Sequence, residues 1–224
     1  LKEVEKVFLK PVFAKPSLSA LLKDEEITRI KLTDDQARLL FCLEHHHRVN
    51  ITGGAGTGKT VLAKKAAEKY SSEKKRTALI CYNKGLGDEL SMAFSSNEMV
   101  HAGTYHAFFR SLLGNNLKSF RKEAEEAYPN ADPWKVVMPF AFIMALDANE
   151  NLKFDAVIVD EGQDFSAEMW LSLEMLLKDQ TSKMFIFSDA HQGLYSKIDN
   201  VPKLSPPFLL QTNCRNTFQI FKRA

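Results

Sequence analysis

The chain has 224 residues, of which 45% are hydrophobic, 26% charged and 10% aromatic. This length suits one large α/β domain, and the hydrophobic fraction can supply its core. The formal net charge of only +2 excludes a protein whose whole surface is basic, so any nucleic acid must bind to a local patch.

The three cysteines (Cys42, Cys81 and Cys214) have neither paired nor metal-like spacing. They suit a reducing compartment, so we expect a cytoplasmic protein. No run approaches the ~18 apolar residues of a membrane span, and the N-terminus lacks the apolar core of a signal peptide. We therefore expect no membrane partner. Because the chain starts without Met and ends within a helical pattern, we also expect a piece of a longer protein.

The predicted elements alternate between strands and helices from residue 48 onward. Residues 1–32 form an arm with a short helix near 19–29, and a capped helix opens at Thr33. There follow a strand at 48–52, a loop at 53–58, a helix at 59–70, a strand at 77–82, a helix at 84–94, a strand at 98–102 and a helix at 104–113. Residues from about 114 to 150 are a helical insertion, with one helix near 136–147. The last elements are a strand at 154–159, a helix at 166–178, a strand at 183–188, a strand near 207–211 and a helix from 216. This order predicts an α/β fold, with helices covering both faces of a mostly parallel sheet.

The first loop of this pattern contains a complete phosphate-binding motif. Its residues are Gly53, Gly54, Ala55, Gly56, Thr57, Gly58, Lys59 and Thr60. Glycines let backbone N–H groups close around phosphates, and the following helix presents its positive end. Lys59 would place its ammonium on the β- and γ-phosphates, and Thr60 would offer its hydroxyl to Mg²⁺. The motif therefore predicts binding of ATP or a related nucleoside triphosphate with Mg²⁺.

A second strand ends in two carboxylates, Asp160 and Glu161. In a parallel sheet the ligand crevice lies at the carboxyl ends of the strands, so both residues should emerge near the phosphate loop. Asp160 is then placed to hold Mg²⁺, directly or through water. Glu161 is suited to orient and deprotonate the attacking water.

The next strand leads to Gln192, which is a third candidate for the same site. Its amide could bond the γ-phosphate or the attacking water and so sense hydrolysis. A polar residue that merely opens a surface turn is the alternative interpretation.

Seven segments together resemble superfamily 1 helicases of the UvrD/Rep/PcrA kind, in the order of that family. They are Gln36 (Q motif), Gly53–Thr60 (motif I), Ala78–Leu86 (motif Ia), Gly103–Phe108 (motif Ib), Asp160–Asp164 (motif II), Ser188–Tyr195 (motif III) and Asn213–Thr217 (motif IV). Motifs I and II also occur in many other phosphate-loop enzymes. The Gly-Gln-Asp that follows Asp160 and Glu161, together with Asp-x-x-Gln and Asn-x-Arg-Asn, is much more specific.

This resemblance implies a RecA-like ATPase domain over residues 33–224, with the second RecA-like domain of the same full-length protein lying outside the chain. It implies ATP-driven translocation on single-stranded nucleic acid, usually DNA, with RNA left open. It also implies that Gln36 reads adenine and that Arg215 reaches the γ-phosphate when the second domain docks. A solvated arginine at a helix start is the alternative for Arg215.

The sequence departs from this family in two respects. Cys214 and Val61 occupy the positions where many relatives hold adenine between an aromatic residue and an arginine. Base selection would then depend more heavily on Gln36. The chain also stops before motifs V and VI, so we do not expect this piece alone to unwind a duplex.

Polar residues just past two strand ends are the candidates for contact with nucleic acid, namely Asn83, Thr104 and His106. For Phe108 and Phe109 we instead predict burial in the core.

Two other classes of function stay open at this point. One is a phosphate-loop switch that does not translocate, and the other is a binding module with a vestigial ATP site. The intact set of Lys59, Asp160 and Glu161 disfavours the vestigial site.

Overall fold

A computed structural model of the chain describes residues 46–189, residue 202 and residues 208–210. The strands are β1 (Arg48–Gly53), β2 (Thr77–Cys81), β3 (Val100–Thr104), β4 (Ala156–Val159), β5 (Lys183–Asp189) and β6 (Phe208–Leu210). The α-helices are α1 (Lys59–Ser72), α2 (Lys84–Ala93), α3 (Tyr105–Leu113), α4 (Leu117–Ala127), α5 (Met138–Ala148) and α6 (Ala167–Met175). A π-helical turn (Pro133–Val137) precedes α5, and a 3₁₀ turn (Gly162–Asp164) follows β4.

The six described strands form one sheet in the order β3-β2-β4-β5-β1-β6, and every neighbouring pair is parallel. The carboxyl ends of β4, β5 and β1 therefore lie side by side at the same end of the sheet. In the register between β1 and β5, Gly53 pairs with Asp189, so the phosphate loop starts directly beside the end of β5. The predicted α/β fold with a parallel sheet is confirmed.

Helices cover both faces of the sheet, because successive side chains of a strand point to opposite sides. On one face Met184 and Ile186 of β5 join a core that includes buried side chains of α3, α5 and α6. On the other face the ring of Phe185 stacks against Tyr70 of α1, with ring centroids 5.8 Å apart. A sheet buried on both faces accounts for the almost continuous aliphatic composition of β2 and β4.

The predicted elements match the described ones to within three residues. The helix predicted at 166–178 ends at Met175, and β3 is displaced as a whole by two residues. The sequence pattern predicts a strand at 98–102, but the strand runs from Val100 to Thr104. Asn97 explains why β3 starts later in the sequence than predicted. Its side-chain oxygen accepts from the N–H of Met99, and its carbonyl accepts from the N–H of Val100. These bonds form a turn where pairing was expected to begin.

The insertion is helical, as predicted, and consists of α4, the π-helical turn and α5. Phe108 and Phe109 are buried in the core, which confirms their predicted role. The predicted helices at 19–29, at 33 and from 216 lie outside the described residues. Within the described part of the chain, no helix has the length and apolar character needed to cross a membrane.

Candidate active site

The phosphate loop between β1 and α1 has the backbone conformation that its glycines permit. Gly56 and Gly58 adopt left-handed φ values of 82° and 83°, which side-chain-bearing residues rarely tolerate. The hydroxyl of Thr57 donates to the Gly54 carbonyl at 2.9 Å and ties the two sides of the loop together. The loop thus has a defined shape before any ligand is considered.

The N-terminus of α1 has no side-chain cap, as is also true of α4 and α5, whereas α2, α3 and α6 have one. Side chains of Asn83, Thr104 and Ser166 cap those three helices by accepting from a first-turn N–H. At α1 the N-cap residue is Gly58, no side chain caps the helix, and no acidic residue lies in its first turn. The N–H groups of the first turn, which no side chain caps, and the positive end of the helix dipole therefore suit an external anion.

Lys59 is buried at the start of α1 and holds its ammonium inside the loop. Its Nζ donates to the carbonyl of Gly53 at 2.8 Å and to that of Gly54 at 3.0 Å. A buried ammonium needs such acceptors, and phosphate oxygens would be stronger ones because they carry full charge. The site therefore contains a positive charge fixed at the base of the loop.

Asp160 directly follows β4 and has no exposed surface. Its Oδ1 accepts from the N–H of Glu161 at 3.0 Å, whereas its buried Oδ2 has no partner of good hydrogen-bond geometry among the described residues. Burial raises the pKa of Asp160 to about 6, and the nearby Glu161 adds to this, while the Thr60 hydroxyl and the Lys59 ammonium lower it. The carboxylate is thus mostly ionised at neutral pH and close to both Thr60 and Lys59.

Glu161 sits in a strained turn, since its φ of 55° lies in the left-handed region that costs a residue other than glycine roughly 1–2 kcal/mol. The side chain of Gln163 holds this turn in place through two hydrogen bonds. Its Nε2 donates to Glu161 Oε2 at 2.6 Å, and its Oε1 accepts from the backbone N–H of Asp189 at 3.1 Å. One amide therefore links the carboxylate after β4 to the end of β5.

These groups meet at one cavity of about 240 Å³, lined by Ala55, Gly56, Gly58, Lys59, Thr60, Glu161 and Asp189. The structure thus brings together the two halves of the site, which are separated by about 100 residues in the sequence. Pockets for whole drug-sized ligands measure roughly 300–1,000 Å³, so this one suits a phosphate chain better than an entire nucleotide.

The residues present also suit Mg²⁺, which prefers oxygen ligands and keeps several waters. The orphaned Oδ2 of Asp160 and the hydroxyl of Thr60 are such oxygens. Lys59 neutralises part of the negative charge nearby.

The 3₁₀ turn that follows Glu161 packs closely against β5 through Gly162. A Cβ atom at Gly162 would lie 2.7 Å from Ile186 Cγ2 and 3.4 Å from Trp170 Cζ2. We therefore expect Gly162→Ala to lower the free energy of unfolding by about 1–3 kcal/mol, because it overpacks the core. Urea unfolding of the chain followed by circular dichroism measures this loss.

Gly85→Ala provides the matched control for that substitution. A Cβ there would meet only Asn83 Oδ1, at 3.4 Å, and alanine is the better helix former within α2. We expect it to be neutral or stabilising by up to ~1 kcal/mol. Equal unfolding midpoints for both variants would show that the turn is not packed as described.

Three predicted site residues, Gln36, Gln192 and Arg215, lie outside the described residues. The predicted nucleic-acid contacts all lie inside them. Asn83 and Thr104 cap α2 and α3, so part of their hydrogen-bonding capacity is structural. His106 is half-buried beside Trp134, and burial lowers the pKa of its imidazole.

Two residues of the cavity region received no role from the sequence. Gln163 belongs to a recognised motif, but only the folded turn shows that it bonds Glu161. Asp189 ends β5, and its position after an apolar strand was the available signal, since acids at the carboxyl ends of strands face the crevice.

A family model described as "AAA domain" matches residues 36–197, which is well over half of the chain. A comparison with curated protein sequences gave no significant match.

Among solved structures, the chain is similar to the replication initiator DnaA bound to AMPPCP and single-stranded DNA, with 16% identity, a TM-score of 0.36, and coverage of 88% of this chain and 48% of that one. It is also similar to AMPPCP-bound DnaA from Aquifex aeolicus, with 16% identity, a TM-score of 0.39, and coverage of 96% and 55%. The chain spans about half the length of these structures.

Proposed function

The chain belongs to the AAA domain family, and from this premise we propose that it is the ATP-binding and ATP-hydrolysing motor domain of a UvrD-like helicase that acts on single-stranded nucleic acid. We propose that this strand is DNA, and the experiment described below also tests RNA. The observation that carries the proposal is the single cavity lined by Lys59, Thr60 and Glu161, with the buried Asp160 next to them.

Each side chain of the cavity has a distinct task in this proposal. The uncapped N–H groups of α1 and the Lys59 ammonium bind the β- and γ-phosphates of ATP. Asp160 and Thr60 supply oxygen ligands for Mg²⁺, which when bound would neutralise charge that develops on the phosphate oxygens. Glu161, held by Gln163, orients the attacking water and accepts its proton.

The helicase assignment is supported by sequence motifs beyond the phosphate loop. Gly162, Gln163 and Asp164 follow the acidic pair in the order typical of UvrD-like helicases, and the described part of motif III begins at the end of β5. In the same proposal, Gln192 senses the γ-phosphate and Arg215 stabilises its charge once a second RecA-like domain docks. Gln36 reads the adenine.

Hydrolysis stimulated by nucleic acid tests this function in the parent protein, meaning the longer protein that we expect to contain the chain. We expect single-stranded dT20 to raise the ATP turnover rate at least several-fold, and blunt duplex to raise it less. The rate should be measured with and without dT20, rU20 and duplex at fixed salt, since phosphate contacts weaken with ionic strength. A rate that stays flat with every nucleic acid would contradict a motor and favour a switch that does not translocate.

A further inference from the structure

β3 is an edge strand, and its outer side is open to pairing. It lies at the end of the strand order, and among the described residues it pairs only with β2. Proteins usually protect such an edge with proline, lysine, a bulge or a covering segment, because its backbone groups can pair with another chain. The sequence of β3 is Val-His-Ala-Gly-Thr, without proline or lysine, and its register with β2 is unbroken. The strand thus has none of the protections that its own residues could provide.

The hydrogen bonds to β2 show which backbone groups of β3 point outward. The N–H of Thr77 donates to the carbonyl of Met99 at 2.8 Å, so this carbonyl points toward β2. Backbone groups alternate in direction along a strand, so the carbonyl of Gly103 points the same way. The Cys81 thiol donates to that carbonyl, with Sγ 3.9 Å from the oxygen, which agrees with this direction. The N–H and C=O of Ala102 therefore point to the open edge.

Two helices make this edge the floor of a groove. The side chains of His101 and Thr104 point to opposite faces of the sheet, because strand side chains alternate. α2 packs on the face of Thr104, since a Cβ atom at Gly87 would lie 2.8 Å from the Thr104 nitrogen. α3 packs on the face of His101, where the rings of Phe108 and His101 lie 5.5 and 5.2 Å from that of Phe154. The cavity that lies along β3 between α2 and α3 measures about 300 Å³, and we call it the edge groove.

Small residues form most of the lining of the edge groove. They are Gly87, Ser91, Ala102, Gly103, Ala107 and Ser111. A Cβ atom built on Gly103 would meet no atom within 4 Å, so the space at this position is open. Paired strands lie about 4.7–4.9 Å apart, and small side chains allow a second backbone to approach β3 that closely. A helix, at about 10–12 Å in diameter, is too wide to come so near. The groove therefore suits an extended chain.

The charge of the edge groove comes from one carboxylate. Asp88 of α2 is exposed and is the only acid among the described residues that line the groove, and neither lysine nor arginine lies among them. Burial and the charge of Arg76 lower the pKa of His101, which disfavours a cation at that position as well. Such a surface attracts a lysine or arginine and repels phosphate groups. The groove therefore favours a basic peptide over a nucleic acid.

A second copy of the chain fits this edge less well than a different protein. Symmetric pairing of β3 with the same strand of another copy is antiparallel, about a two-fold axis perpendicular to the sheet. Such an axis keeps each helix on its own face, so the α2 helices of both copies would lie together. Their Asp88 carboxylates would then share one face of the joined grooves, and like charges so placed destabilise the pairing.

We propose that the edge groove is a docking site for an extended segment of another protein, which adds to the sheet beside β3 and places a lysine or arginine at Asp88. Main-chain hydrogen bonds to Ala102 supply affinity, and the charge of Asp88 and the small lining residues supply specificity. The groove shares no lining residue with the cavity that we assign to ATP. The inference therefore does not rest on the proposed function.

Peptides selected on the chain test the proposal. Random heptapeptides displayed on phage are selected on the native chain after depletion on the Asp88→Lys variant. We expect the enriched peptides to contain β-branched residues and one lysine or arginine at a fixed position. A synthetic copy of an enriched peptide should slow hydrogen exchange of the Ala102 amide, measured by NMR, because the added strand accepts from that N–H.

Affinity for the same peptide, measured by fluorescence anisotropy, tests the role of the charge. Asp88→Lys should weaken binding by roughly 5- to 10-fold, since it replaces an attraction with a repulsion. Glu89→Lys is the matched control, because Glu89 lies on the same helix, outside the residues that line the groove, and its reversal changes the net charge equally. It should leave the affinity unchanged. Circular dichroism confirms that each variant is folded.

Methylation of single amide nitrogens in the peptide distinguishes strand addition from other modes of binding. A methyl group on an amide that faces β3 should abolish binding, whereas one on the next residue, whose N–H points away, should not. Equal effects at every position would show that the peptide does not bind as a strand.

Three further outcomes would overturn the proposal. They are a selection that enriches no peptide on the native chain, a bound peptide that leaves exchange of the Ala102 amide unchanged, and a dimer of the chain, seen by sedimentation, that itself protects this amide. The dimer would assign the edge to a second copy. None of these results bears on the binding of ATP at the other cavity, so the two proposals fail separately.

Discussion

Lys59→Ala should weaken the binding of Mg²⁺-ATP to the chain by about two orders of magnitude. The substitution removes the buried ammonium that donates to the Gly53 and Gly54 carbonyls and that we assign to the phosphates. Truncation of one partner of a buried charge pair costs about 3 kcal/mol, which corresponds to a roughly 100-fold loss of affinity. Isothermal titration calorimetry with Mg²⁺-ATP measures the change.

Lys65→Ala is the control, because Lys65 lies on the same helix and makes an ion pair only with Glu68 on the surface. Surface pairs contribute ~0–1 kcal/mol to stability, and this one lies outside the cavity, so the affinity for ATP should stay unchanged. Equal affinities of Lys59→Ala and the native chain would show that Lys59 does not contact the nucleotide.

Glu161→Gln should separate binding from turnover in the parent protein. The amide keeps the shape of the side chain but cannot accept a proton, so ATP binding is retained while hydrolysis stops. General-base catalysis contributes roughly 10²- to 10⁴-fold, and we expect kcat to fall by about that factor. Steady-state hydrolysis assays give kcat, and calorimetry gives the affinity.

Glu126→Gln is the matched control, since Glu126 is an exposed residue of α4 at a surface ion pair. It should hydrolyse ATP at the native rate. If Glu161→Gln also hydrolyses ATP at the native rate, Glu161 is not the general base. The proton acceptor would then have to be sought among other groups of the cavity, with Asp189 as the first candidate.

Local chemistry made much of the fold and of the phosphate-binding half of the site predictable. The Gly-rich loop that ends in Lys59 and Thr60 specifies its own conformation, and near-continuous aliphatic residues mark the buried strands. The two acids after β4 were placed near this loop by a general rule of parallel sheets, with no knowledge of strand order. The cavity brings Glu161 and Lys59 together as that rule requires.

Contacts between distant segments could not be predicted from the sequence. Gln163 bonds Glu161 and the N–H of Asp189 only because a left-handed turn brings β4 and β5 together. Trp134 lies in the helical insertion, 28 residues after His106 in the sequence, yet the chain folds back so that the carbonyl of Trp134 meets the imidazole of His106. Such pairings depend on tertiary packing, which a one-dimensional pattern does not encode.

The most direct test of the nucleotide site is a crystal structure of the chain with Mg²⁺ and a non-hydrolysable ATP analogue. The account predicts the terminal phosphates within hydrogen-bond distance of Lys59 Nζ, and Mg²⁺ at about 2.0–2.1 Å from the Thr60 hydroxyl. The carboxylates of Asp160 and Glu161 should face the same phosphates. A nucleotide bound outside this cavity, or Lys59 and Glu161 on different sides of it, would contradict the account.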